Sequence, residues 1–598
     1  MQRQENTCAI CLNNINSGGR QALFMAECSH TFHFQCITSN VTRGNLVCPL
    51  CKAQWNELPF GTTHNPIRTP TPLVTQSPPA PFYPAFETPI FNDDDPIDTP
   101  PADTPQQITT GTMEVKTFTE YPAVAKSSTK DDFATVIHLK APSMESGMAE
   151  SARAPLDLVT VLDVSGSMQG EKLHLLKQAM NFVIQNLGPA DRLSIVSFSS
   201  RARRLIRLTR MSNEGVQQAL NAVGSLNAGG GTNIAEGLRK GSKLLDESRY
   251  KNPVNSIILL SDGQDTHTTF SRNNRSSVSS YDCLLPPSIL HPTGRAIPIH
   301  TFGFGSDHDS LAMHRIAEAS GGTFSFIEDT SSIQDAFAQC IGGLLSVVAQ
   351  ETHVTLESAN RGVKITGIKS GSYESRVENG GLNGSIDVGD LYADEQRSFL
   401  LFVNIPRSGI EGPTKLIKVN MTYKDAATGS VVELGEQEVS IERPETVTNN
   451  QISIEVEREM VRVQAMEDMV AARAAAERGA MTEAMGILKS RQRAVHTSVV
   501  AKSGDLACKQ LQEELKEMGR RMSTRKSYAQ SGRAYTLAGL SAHTKQRATS
   551  RTSSVQSDPT LFGGTGVSIG YQTPAMQQMV KKSQSLRRGE PSLQDKLP

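Results

Sequence analysis

A run of about 18 apolar residues, the least that spans a bilayer as a helix, occurs nowhere in these 598 residues. A basic-then-apolar signal at the N-terminus is lacking too. Together these absences predict no transmembrane segment and a cytoplasmic chain, with the nucleus as the other compartment open to it. Charge of one sign is also scarce. The 60 Lys and Arg stand against 61 Asp and Glu, so nothing favours a polyanion and no nucleic-acid partner is expected. There is no P-loop, which argues against a nucleotide-driven metal-insertion subunit. Cysteine is sparse after residue 51: six of nine lie at or before it, and Cys283, Cys340 and Cys508 are isolated. A disulfide framework is therefore excluded and a reducing compartment expected. None of the three has the local setting of a low-pKa thiol, so a thioester-forming cysteine is disfavoured.

What the first 51 residues do contain is a dense ligand array: Cys8, Cys11, Cys28, His30, His33, Cys36, Cys48 and Cys51. Pairs two residues apart at the ends and a Cys-x-His-x2-His-x2-Cys cluster between them present ligands as short loops do to tetrahedral zinc. Eight ligands suffice for two ions. Four protein ligands per ion leave no open position, so the zinc is structural, and a segment this short depends on it to fold. The spacing resembles the RING-H2 finger. That resemblance implies a cross-brace, with Cys8, Cys11, His33 and Cys36 on one zinc and Cys28, His30, Cys48 and Cys51 on the other. It also implies a shallow groove for a ubiquitin-conjugating enzyme formed by Ile10, Pro49 and Leu50, with Lys52 at the position of the basic residue that contacts ubiquitin. Lysine lacks the planar fork of the arginine more usual there, which predicts weaker or more selective activity. A second departure is Asn40, near where many such fingers carry tryptophan; the single tryptophan here is Trp55. Met1 precedes the first ligand by only seven residues, which leaves room for a longer N-terminus.

From Pro59 to Pro105 lie thirteen of the thirty prolines, mixed with Thr, Ser and the acidic patch Asp93, Asp94, Asp95. Proline removes donors and extends the backbone, so this reads as a semi-stiff disordered tether, with ends roughly 40 Å apart if treated as a flexible chain. The aromatic island Phe82, Tyr83, Phe86 and Phe91 is a candidate for docking on a partner or back on the chain's own domains.

Leu156 to Leu162 reads as a buried strand, followed by Asp163-Val164-Ser165-Gly166-Ser167-Met168 and an amphipathic helix over Lys172 to Leu187. The alternation continues with strands at Leu193 to Phe198, Ser256 to Leu260 and Ile297 to Phe304 and helices at Glu214 to Leu226 and Ile234 to Leu245. It predicts a doubly wound α/β fold with ligands at the carboxyl ends of its strands. Asp-x-Ser-x-Ser at such an end resembles the metal-ion-dependent adhesion site of von Willebrand factor A domains. Thr232, after Gly229-Gly230-Gly231, and Asp262, closing Leu259-Leu260-Ser261-Asp262, stand where that family places its remaining ligands. Two carboxylates and three hydroxyls are hard oxygen donors suited to magnesium. The resemblance implies an open metal position that accepts a carboxylate from a partner protein. His308 and His314 stand alone after the strand ending near Phe304 and read as surface or core residues, not ligands.

The flanks of this domain, Val115 to Lys140 and Thr352 to Glu442, alternate β-branched and polar residues between turn residues and read as β structure, either one interrupted sandwich or separate sheets. Beyond Pro444 the pattern becomes helical, with Met460, Val463, Met466 and Val470 on one face and Leu511, Leu515 and Met518 on a later helix. The tail reads as disordered. The expected organisation is a zinc finger at 1–56, linker 57–112, β segment 113–150, A domain 151–350, β-sandwich segment 351–443, helical region 444–548 and tail 549–598.

This order, with Ala26-Glu27-Cys28-Ser29-His30, Phe32-His33-Phe34-Gln35-Cys36, the Leu162 to Met168 loop and Arg533-Ala534-Tyr535, resembles the plant WAVY GROWTH family of RING ubiquitin ligases. The resemblance implies direct transfer of ubiquitin from a conjugating enzyme to a substrate lysine, a protein substrate recruited by the A domain, and a role in root growth direction under gravity. The alternative from another class is a non-catalytic adaptor in which zinc and magnesium both serve binding.

Overall fold

A strand covered by helices on both faces has no side for solvent, and all eight residues of Leu156–Asp163 are buried in the middle of a six-stranded sheet, Asp157 among them through its pair with Arg192. The computed structural model describes residues 23–25, 31–33, 36, 48, 51, 91, 93–97, 109–144, 153–267, 278–291, 295–409, 411–448, 450–551 and 569–588. Two compact units divide the chain, Met1–Thr88 and Pro89–Pro598. In the first, β1 (Leu23–Met25) pairs antiparallel with β2 (Thr31–His33), with Leu23 opposite His33.

The second unit opens with β3 (Glu114–Thr119) and β4 (Lys130–Lys140), then enters the α/β domain. Its strands are β5 (Leu156–Asp163), β6 (Arg192–Phe198), β7 (Ala202–Arg210), β8 (Val254–Ser261), β9 (Ile299–Phe304) and β10 (Phe324–Ile327). They lie in the order β10-β9-β8-β5-β6-β7, parallel throughout except β7, which runs antiparallel to β6. Helices α1 (Glu171–Gln185), α2 (Asn213–Gly224), α3 (Ile234–Asp246), α4 (Ser310–Ser320) and α5 (Ile333–Leu344) cover both faces. The period of two along β5 sorts its side chains: Val159 and Val161 share a core with α3 and α4, whereas Leu158 and Leu162 share one with α1 and α5. Helix α3 lies so close that a Cβ on Gly241 would sit 2.6 Å from Val161 Cγ2.

Edge strand β7 is not among the expected strands, because five arginines between 201 and 210 hide its alternation. A strap from the expected tether supports it. Phe91 is buried under the Arg204 guanidinium, 4.3 Å from the ring centroid, and its amide donates to Glu247 at 3.0 Å. Asp93 pairs with Arg204, Asp94 with the fully buried Arg192, and Asp95 with Arg207. At these residues the structure differs from the disordered linker expected over 57–112. The acidic patch is an anchor, and its hydrogen-bond partners Arg204 and Arg210 lie 111 and 115 positions further along the chain. Phe82, Tyr83 and Phe86 lie outside the described residues.

After the α/β domain come β11 (Val347–Ser358), β12 (Lys364–Lys369), β13 (Glu374–Glu378), β14 (Asn383–Tyr392), β15 (Gln396–Ile405), β16 (Thr414–Asp425) and β17 (Val431–Ile441). Sheets β13-β14-β11-β16-β17 and β12-β15-β4-β3 share one core that includes Phe133, Ile137, Val354, Ile386, Phe399 and Ile417. Because β4 pairs with β15, the two flanks build one sandwich and the α/β domain is inserted into it.

The helical region comprises α6 (Ile454–Glu477), α7 (Met481–Thr497), α8 (Leu506–Arg521) and α9 (Arg533–Lys545). Leu511, Leu515 and Met518 are buried as their spacing predicts, but Val470 of the expected α6 stripe is 43% exposed. That helix serves two cores, Val456 and Val463 against the sandwich and Met469, Ala472 and Ala476 against the other helices, so its apolar surface wraps round the axis. Among the described residues no helix is long and apolar enough to cross a membrane.

The tail also differs from expectation. Thr549 to Arg551 are buried, and Phe326 N donates to Ser550 O at 3.0 Å, adding a short bridge beside β10. Helix α10 (Pro574–Arg587) then packs on α5, with Met576 and Val580 buried and Ser583 Oγ donating to Asp335 at 2.6 Å. Its seat is made by Gly343, where a Cβ would lie 2.8 Å from Met576 Cε. The stretch before it, His543 to Arg551, joins the sandwich, the α/β domain and the helices of the second unit. Gln546 exchanges hydrogen bonds with the Ser398 backbone, Arg547 makes a two-pronged pair with buried Glu395 at 2.8 Å, and Arg551 pairs with Glu514. Burial opposes ionisation of Glu395, yet Arg397 and Arg547 outweigh it and hold the carboxyl at about 2. Arg547→Met leaves that carboxylate buried beside a single arginine. It should destabilise the second unit by about 3–5 kcal/mol, read as a lowered first transition in calorimetry, and Glu395→Gln added to it should recover part of the loss.

Candidate metal centre

Strand β5 ends at Asp163 on the sheet's carboxyl edge, where the chain turns into the Ser165–Gln169 loop. That loop is held from two sides. Gly166 N donates to Gly230 O at 3.0 Å and Gly229 N to Val164 O at 2.8 Å, which locks it to the glycine loop before Thr232. Gly230 has φ +85°, a backbone that favours glycine. The third loop follows β8: Thr266 N donates to Thr232 O, and Asp265 accepts from Ile234 N at 2.9 Å at the start of α3.

The five expected ligands are brought together on these loops. Asp163, fully buried, accepts from Ser165 N at 2.8 Å and from Ser261 Oγ at 2.6 Å. Ser165 Oγ and Ser167 Oγ lie 3.0 Å apart, and Ser167 Oγ donates to Asp262 Oδ1 at 2.7 Å. Thr232 Oγ1 and Ser167 Oγ flank Gly263, 3.1 and 3.7 Å from the point its Cβ would occupy, and so border the residue next to Asp262. Asp262 is buried and its second oxygen pairs with Lys172, a partner the sequence pattern does not single out. Ser261 escapes the pattern as well, since its role depends on adjacency of β5 and β8.

Burial pushes the Asp163 carboxyl up to about 6, against the hydrogen bonds from Ser261 and Ser165 that favour its ionised form. Among the described residues no cation pairs with that carboxylate. Two carboxylates and three hydroxyls, all hard oxygen donors, fit a small divalent ion. Among the described residues no group of three or more His, Cys, Asp or Glu side chains is placed to hold a metal, so hydroxyls supply the rest of this donor set. A cleft of about 920 Å³ begins at Gln264, two positions past Asp262, and runs between α4 and the ends of α6 and α9, where Arg473 and Arg533 line it. His308, also on its wall, is buried with Nδ1 against Gly305 O at 2.8 Å. Burial lowers the pKa of His308 and of His314 to about 4, so both are neutral packing residues, as their isolation in the sequence suggests.

In the zinc finger, His33 is buried on β2, Cys36 follows three positions later, Cys48 is buried and Cys51 exposed. Thiol and imidazole donors at that spacing fit zinc. Cys8, Cys11, Cys28, His30, Ile10, Pro49, Leu50 and Lys52 lie outside the described residues. The three cysteines elsewhere are poor nucleophiles, because burial pushes the Cys340 and Cys508 thiols up to about 12 and raises that of Cys283.

The von Willebrand factor type A domain family matches residues 157–339, a RING-like zinc finger family matches 7–37, and a family described as VWA / Hh protein intein-like matches 505–585. Three Arabidopsis thaliana proteins are similar over most of the chain. E3 ubiquitin-protein ligase WAV3 is 32% identical over 71% of this chain, E3 ubiquitin-protein ligase WAVH1 29% over 75%, and probable E3 ubiquitin-protein ligase WAVH2 30% over 75%. The chain spans 63%, 65% and 65% of their respective lengths. Among solved structures, a von Willebrand factor type A protein from Catenulispora acidiphila matches with a TM-score of 0.52 at 20% identity, covering 68% of this chain and 90% of that one, a likeness of fold.

The raised Asp163 pKa carries a sign. The folded carboxyl holds its proton between the ordinary value of 3.8 and about 6, so stability is lost as pH rises through that window. In EDTA at pH 7.5, Asp163→Asn should therefore melt higher than wild type, by about 1–3 kcal/mol in stability. The advantage should vanish below pH 4, and the variant should not respond to added magnesium.

Proposed function

We propose that this chain belongs to the family that includes WAV3, WAVH1 and WAVH2 and is a RING-type E3 ubiquitin ligase with a metal-dependent substrate receptor. The observation that carries the reading is the joint presence of a RING-like zinc finger and similarity, over most of the chain, to proteins named as ubiquitin ligases. Positioning is the catalysis in such a ligase. Ile10, Pro49 and Leu50 hold the ubiquitin-conjugating enzyme, Lys52 restrains ubiquitin, and the substrate lysine attacks the conjugating enzyme's thioester directly. The high thiol pKa values of Cys340 and Cys508 support a route with no thioester on this chain.

Substrate is held by the A domain. Asp163, Ser165, Ser167, Thr232 and Asp262 would hold a magnesium ion, which would supply a Lewis-acid contact for a carboxylate of the substrate protein. The adjoining cleft at Gln264 has room for the residues flanking that carboxylate. Residues between the finger and the Phe91 anchor then act as the leash that raises local substrate concentration. Family resemblance extends this reading to root growth direction under gravity.

The deciding experiment is a ubiquitination reaction with a panel of conjugating enzymes. Polyubiquitin is expected from wild type, at least tenfold less from Ile10→Ala, and none from Cys48→Ser, whose zinc content should fall below two per chain. Asp163→Ala should keep self-ubiquitination. No product from any pairing, with two zinc ions confirmed per chain, would favour the adaptor.

A further inference from the structure

Lys172 belongs to no ligand set, yet it reaches the proposed metal site. It stands in the first turn of α1, just after Gly170, whose φ of +84° starts the helix at that point. The ammonium pairs with Asp262 Oδ2 and lies 5.4 Å from the centroid of the Phe304 ring, with 29% of the side chain exposed and none of Asp262. Ser167 Oγ already occupies the other Asp262 oxygen at 2.7 Å. Both oxygens of this carboxylate are therefore engaged by the chain itself. Among the described residues no cation pairs with Asp163, whose hydrogen bonds come from Ser165 and Ser261.

We infer that Lys172 is a built-in counter-cation that weakens metal binding by the chain alone and couples it to the arrival of an external carboxylate. The inference rests on the metal reading above. The two ligand carboxylates, Asp163 and Asp262, and the Lys172 ammonium carry one net negative charge between them. A divalent ion turns that into one net positive charge, and a single carboxylate from a partner neutralises it. Without Lys172 the ion alone would neutralise the two aspartates, and the pull on a further anion would be lost. A unit charge a few ångströms from the ion, in a partly buried site, changes affinity by roughly tenfold or more. Lys172 thus makes metal and acidic ligand bind together rather than metal first and ligand indifferently.

Manganese titrated into the zinc-loaded full chain, with the free ion followed by electron paramagnetic resonance, tests this. Lys172→Met should bind manganese at least tenfold more tightly than wild type. Acetate, as the simplest carboxylate probe, should tighten manganese on wild type and have little effect on the variant. Lys172→Arg should behave as wild type. In EDTA the methionine variant should melt below wild type, because Asp262 has lost its cation, and manganese should restore it. Lys172→Gln, which keeps a donor without the charge, serves the same comparison where the methionine variant does not fold. Equal manganese affinity in wild type and the folded neutral variant overturns the role of Lys172 and leaves the metal site standing. No manganese bound by either protein overturns the metal reading and this inference together.

Discussion

Glu395 lies enclosed between Arg397 and Arg547, and the three belong to parts of the chain that must meet: Arg547 comes from the extended stretch after α9, the other two from the sandwich. A buried carboxylate with two guanidiniums tolerates little displacement, since removing either cation leaves charge in a low-dielectric interior. Through Gln546, Ser550 and Arg551 the same stretch bonds the sandwich, the edge of the α/β sheet and helix α8. Sandwich, A domain and helices therefore share one junction. The cleft beside the metal loops depends on it, because one wall is α4 of the A domain and the other is α6 and α9.

The metal loops have their own constraint. Three loops, from the carboxyl ends of β5 and β8 and from the turn before α3, are tied by backbone bonds among Val164, Gly166, Gly229, Gly230, Thr232 and Thr266. With the backbone fixed, five oxygen-bearing side chains converge with little freedom left to lose. Lys172 on one side and the burial of Asp163 on the other make the two carboxylates unequal, one paired with an ammonium and one held by hydrogen bonds from Ser165 and Ser261.

Much of this architecture is legible in the residues alone. The α/β alternation, the Asp-x-Ser-x-Ser turn, Thr232 and Asp262 all stand on strand ends or their loops, where sequence pattern and position coincide. The flanks read as β structure with one interrupted sandwich and separate sheets both open, because the β4 to β15 pairing that decides between them spans the whole inserted domain. Three features are hidden for physical reasons. The strap looks like tether because Asp93, Asp94 and Asp95 are solvated residues unless their arginines on β6 and β7 are brought near. Helix α10 looks disordered because its seat is Gly343 on α5, with Gly342 beside it also against Met576, and it buries only two apolar side chains, Met576 and Val580. Lys172 looks like an ordinary first-turn residue because its partner lies 90 positions further on.

That one junction unites the second unit is tested most directly by hydrogen–deuterium exchange on the full chain, comparing wild type with Arg547→Met. The account predicts that exchange quickens together in β10, in β15 around Ser398, and in α8, as the stretch after α9 releases all three. Faster exchange confined to residues 543–551, with those elements as protected as in wild type, would contradict it.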